Sequence, residues 1–87
     1  MKTAAELAME RLGGVRSYTD KQKTDMAAID ARYEAKKAEE TLSADRQLAE
    51  ANADPAKADE IRQRMAHEIA RLNEKKEREK DAIRDRR

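Results

Sequence analysis

His67 is the only histidine in the chain, and there is no cysteine. A lone histidine works as a metal ligand or a proton carrier only with suitable partners at helical spacing. The residues three and four positions away are Gln63, Arg64, Ala70 and Arg71. Di-metal helical bundles use Glu-x-x-His, and residue 64 is arginine. His67 also falls opposite the apolar stripe of its helix, so it reads as a solvated surface residue. The acidic pair Glu39-Glu40 suggests acid–base or metal chemistry only if the carboxyls sit in a desolvated pocket. Lys36 and Lys37 stand one turn away, which makes ordinary i,i+3 pairing the simpler reading. Ser17 and Ser43 have no base beside them. Gly13-Gly14 lacks the rest of a phosphate-cradling loop and fits a helix stop. These residues predict no catalytic group, no metal site and no cofactor, and hence a protein that is not an enzyme.

What remains is a scaffold of helix formers. Eighty-seven residues make one domain, 1–87. Apolar residues are 38% of the chain, but 17 of these 33 are alanine, and Tyr18 and Tyr33 are the only aromatics. Burial of so little large apolar surface barely offsets the entropy of ordering the chain. Partner helices would make up the deficit. Twenty basic and nineteen acidic residues nearly cancel, which is not the footprint of a dedicated nucleic-acid binder. Without cysteine there is neither a disulfide nor a thiolate site. Glu6, Glu10 and Arg11 interrupt any signal-like apolar run. No segment approaches the roughly 20 apolar residues of a membrane span. A cytoplasmic protein is the expectation.

The strongest punctuation is Asn52-Ala53-Asp54-Pro55. Proline is excluded from a helix interior but suits the first turn. Asp54 before it is a good N-cap, and proline pushes that residue toward the extended geometry a cap needs. Asn52 tolerates the left-handed conformation that ends many helices. The spacing therefore predicts an all-α chain: a helix over 3–12, then a long antiparallel, coiled-coil-like hairpin with arms over 19–51 and 55–86, bent at 52–55. The alternative is one long helix kinked at Pro55.

Each helix carries start signals and a stripe. Thr3 with Glu6, and Thr19 with Gln22, form capping boxes. Leu7 and Leu12 lie on one face of the first helix and would anchor it. Met26, Ile29, Tyr33, Ala44, Leu48 and Ala51 share a face of the second. Ile61, Met65, Leu72 and Ile83 form the stripe of the third, and Ile69 widens it. Folded at the bend, Leu48 meets Ile61, Ala44 meets Met65 and Met26 meets Ile83. Lys37 and Glu40 interrupt the middle, opposite Glu68 and Leu72. Either a Lys37–Glu68 pair fixes register there, or the long stems line the seam with their heads in water. A second face of the same arm carries Ala31, Ala35, Ala38, Leu42 and Ala49. It is a candidate surface for a partner, or simply alanine used as a helix former.

The opening run Lys2-Thr3-Ala4-Ala5-Glu6-Leu7-Ala8-Met9-Glu10-Arg11-Leu12 resembles the start of a group of short uncharacterised bacterial proteins with charged helical bodies. That resemblance implies a bacterial, cytoplasmic, non-enzymatic helical protein and transfers no site residues. The leading expectation is self-association, a dimer first, or binding to a helical protein partner. The interface and core residues would be Leu7, Leu12, Met26, Ile29, Tyr33, Leu48, Ile61, Met65, Ile69, Leu72 and Ile83. A second expectation is nucleic-acid or ribosome binding through the basic C-terminal segment, with Arg84, Arg86 and Arg87 as contacts. Its competitor is a solvated helix laced with pairs such as Asp81–Arg84. A third is peripheral membrane binding through residues 1–15, whose apolar face is rich in alanine.

Overall fold

The computed structural model of the chain describes Thr3, Ala4 and residues 17–86. The helix expected over 3–12, with Leu7 and Leu12, therefore lies outside the described residues, Thr3 and Ala4 apart, as does Arg87. Two helices account for nearly all the rest: α1 (Asp20–Glu50) and α2 (Pro55–Arg84). They pack against each other as a helical hairpin.

Both starts follow from the cap residues. Thr19 is extended, and its hydroxyl accepts from the Gln22 N–H at 3.0 Å, while Gln22 Oε1 accepts from the Thr19 N–H at 2.8 Å. Asp54 is extended as well, and its Oδ1 accepts from the N–H groups of Ala56 and Lys57 at 3.1 and 3.4 Å. Pro55 takes the first helical position, where no N–H is needed. The reversal itself takes two left-handed residues, Asn52 (φ 53°) and Ala53 (φ 65°). Asparagine is a usual occupant of that region. Alanine is not, because its Cβ crowds the carbonyl at a cost of about 1–2 kcal/mol. Proline inside a continuous helix would cost about 3 kcal/mol. A kinked continuous helix loses to the bend on that difference.

The arms meet along one stripe each. Ile29, Tyr33, Leu72 and Ile83 form the buried cluster, with Met26 packed against it. Ala44 and Ile61 are buried nearer the bend. Leu48, Met65 and Ile69 are half-buried at its edges. Between these apolar patches the seam is polar. Lys37 does not reach Glu68: its ammonium donates to Asn73 Oδ1 at 3.2 Å and pairs with Glu34 at 2.7 Å. Glu68 is held by Arg71, one turn along its own helix. Lys37 and Glu68 each take a charged partner one turn away on their own helix, which helical spacing presents without extra ordering. Lys80 does cross, donating to Asp30 at 3.0 Å with its side chain only 16% exposed.

The core is thin, and the penalty for thinning it further separates seam from surface. Leu72→Ala should cost about 2–3 kcal/mol in chemical denaturation followed by circular dichroism. Leu42→Ala, at a residue 63% exposed, should stay within about 0.5 kcal/mol.

Candidate interaction site

Three regions gather the side chains with chemical or binding potential. The first is the outer face of α1. Ala31, Ala35, Ala38, Leu42 and Ala49 are all exposed. At about 100° per residue they sit nearly opposite Ile29, Tyr33 and Ala44. Among the described residues, Leu42 is the large apolar side chain left open to solvent. Glu39 and Arg46 flank it on one side, one turn before and one turn after. The helix is thus two-faced, with one apolar face against α2 and the other uncovered by the described residues.

The second region is the open end, away from the bend. Sequence patterning assigned Gln22 only to a capping box. In the structure Gln22 is buried, and its amide nitrogen also donates to the carbonyls of Ile83 at 2.9 Å and Arg86 at 2.8 Å. The final carbonyls of a helix lack partners within it. A single side chain therefore closes the start of α1 and the end of α2 together. Asp25 adds to this closure by accepting from Arg86 at 3.2 Å and from Lys21 at 3.2 Å. The Lys21 hydrogen bond, with help from Arg86, holds the Asp25 carboxyl below its usual range. No spacing rule reveals the reach to Ile83 and Arg86, because the partners are backbone atoms far away in sequence.

The third region surrounds Tyr33. Its ring is buried in the seam and covered by two cations, Arg32 at 5.7 Å and Lys36 at 5.1 Å from the centroid. The carboxylate of Glu79 faces its hydroxyl and, with burial, pushes the phenol above its ordinary value of 10.0. Glu79 Oε2 is buried without a hydrogen-bond partner. Glu79 Oε1 lies 3.7 Å from Arg32.

Of the basic residues expected to touch nucleic acid, Arg84 and Arg86 are held in ion pairs, and Arg87 lies outside the described residues. Arg84 pairs with Asp81 at 2.7 Å and Glu77 at 3.2 Å, and Arg86 pairs with Asp25. Arg84 is raised above the usual guanidinium value by these carboxylates, Asp81 first. His67 is exposed. Among the described residues no cluster of His, Asp and Glu has the arrangement to hold a metal ion. Nor is any described helix long and apolar enough to cross a membrane. No protein-family model, curated protein or solved structure matches this chain.

Two outcomes follow from the polar contacts. Gln22→Glu removes both donors to the α2 carbonyls and places a carboxylate against them. It should destabilise by about 1–3 kcal/mol at neutral pH and recover in part where the new carboxyl is protonated, as thermal melts across pH will show. A phenol pKa raised on folding gives stability that is complete below pH 10 and is lost as pH rises through the higher folded value. In a Tyr18→Phe background, alkaline titration of phenolate absorbance should place Tyr33 above 10.0, and Glu79→Gln should bring it down.

Proposed function

We propose that this chain is a non-enzymatic, cytoplasmic helical-hairpin protein that acts by self-association, with a dimer as the first assembly. The observation that carries this reading is the exposure of Leu42, at 63%, on an alanine face turned away from the hairpin's own seam. Small side chains let helices approach closely, and one large apolar residue among them gives the approach a centre. The flanking charges fit a second copy. If two α1 helices lie antiparallel with Leu42 at the two-fold axis, Glu39 of each copy meets Arg46 of the other. An isologous contact of this kind closes after two chains. The seam inside each hairpin then serves as a coiled-coil spine that keeps the outer face straight. The bacterial resemblance of the opening run, Lys2 to Leu12, is in keeping with this reading and adds no residue to the interface.

Light scattering over a range of protein concentrations tests it. The mass should rise from one chain toward two. Leu42→Glu should weaken the association at least about tenfold while leaving the melting temperature of the dilute chain unchanged. Arg46→Glu should weaken it too, and adding Glu39→Arg should restore it. A mass fixed at one chain at every concentration refutes the proposal. So does association that falls steeply with salt and appears only with added nucleic acid, since that behaviour belongs to a phosphate-binding protein.

A further inference from the structure

We infer that the seam of this hairpin also fits two chains, and that Asp54-Pro55 is the hinge setting the balance between a closed hairpin and an antiparallel, arm-exchanged dimer. The outer face of α1 plays no part in this exchange. The cross-arm contacts are symmetric about the bend. Gln22 meets Ile83, Asp30 meets Lys80, Lys37 meets Asn73 and Gln47 meets Arg64. The later the residue in α1, the earlier its partner in α2, all the way to the bend. Two chains that continue straight through their bends and lie antiparallel reproduce each of these pairs between chains. Outside the bend, no side chain has to find a new partner. Exchange of an identical element in this way is a low-cost route to a dimer.

The bend decides which form is populated, and only local backbone preferences hold it. Residues 52–57 are all exposed, so no packed side chain fixes the turn. One feature favours opening: Ala53 is held at φ 65° and relaxes on returning to the right-handed region. Two features favour closure. Pro55 would have its ring against the Ala51 carbonyl inside a continuous helix and could not supply an N–H. Asp54 would give up its bonds to the N–H groups of Ala56 and Lys57, and the proline beside it resists the helical conformation. The hairpin is thus kept closed by two adjacent residues that touch nothing in the seam.

The test uses Leu42→Glu as the parent, so that association through the outer face is suppressed. Asp54→Ala with Pro55→Ala is added to that parent and compared with it by light scattering and small-angle scattering. The added pair should strengthen dimerisation at least about a hundredfold. The dimer should be a rod of about 100 Å, the length of a helix running from α1 through α2 at 1.5 Å per residue. Ala53→Gly added to the same variant should return it toward one chain, because glycine favours the left-handed turn and disfavours the helix interior. Pro55→Ala alone keeps the cap and should shift the balance the same way by a smaller factor. The variant carrying Asp54→Ala and Pro55→Ala remaining a single compact chain at every concentration overturns the inference, as does a dimer no longer than one hairpin. Loss of helicity in the double variant leaves the Pro55→Ala comparison to decide.

Discussion

Two helices can shield only one stripe on each other, and every other feature of this chain is arranged around that limit. A pair of cylinders in contact leaves most of each surface in water. Core residues such as Tyr33 and Ile83 reach 3% exposure, yet among the described residues no large side chain is wholly enclosed. Hydrophobic burial therefore defines where the arms touch but supplies little surplus. Specific polar contacts have to fix the register and close the ends. Gln22 closes the open end, Asp30 with Lys80 and Lys37 with Asn73 hold the middle, and the Asp54 cap with Pro55 sets the reversal. Several of these are partly shielded from water by their own stems, which raises their worth above that of a fully solvated pair.

The same limit links fold to function. A hairpin whose α1 is polar all round its outer side would be finished as it stands. This α1 instead carries Leu42 on an alanine ridge opposite the seam. High charge balanced in sign keeps the remaining surface solvated, and much of it is consumed in short-range pairs such as Arg71 with Glu68 and Arg84 with Asp81. Those pairs lower the Glu68 carboxyl and raise both guanidinium groups. They leave the basic C-terminal segment less available to a polyanion than its residue count suggests.

Much of the hairpin could be read before any coordinates. Helix-former content, the Thr19 capping box and the Asp54-Pro55 restart are local signals, and local signals survive folding when nothing overrides them. The apolar stripes placed Ile29, Tyr33, Ile61, Leu72 and Ile83 in the seam because period and burial agree. The arms end one to two residues earlier than patterning implied, at Glu50 and Arg84, where frayed turns carry no periodic signal. Three things were not legible. Ala53 in the left-handed region goes against its type, since the geometry of the reversal dictates it and not the residue. Gln22 reaching two carbonyls depends on how the ends meet in space. Of the two alternatives for Lys37, the Glu68 pair does not form, and its contacts with Asn73 and Glu34 depend on side-chain reach that spacing alone does not give. The outer face was visible as alanine and Leu42, but whether α2 would cover it required the fold.

The most direct check on the central claim, that the chain reverses at the bend and its arms lie antiparallel in register, is a distance within one molecule. Spin labels at Lys23 and Ala82, both exposed, in chains diluted with excess unlabelled protein report that distance by pulsed electron resonance. Packed helices lie about 10 Å apart, so the account predicts a single short distance, lengthened only by the label arms. A distribution centred near 90 Å, the span of a continuous helix between those positions at 1.5 Å per residue, would contradict it.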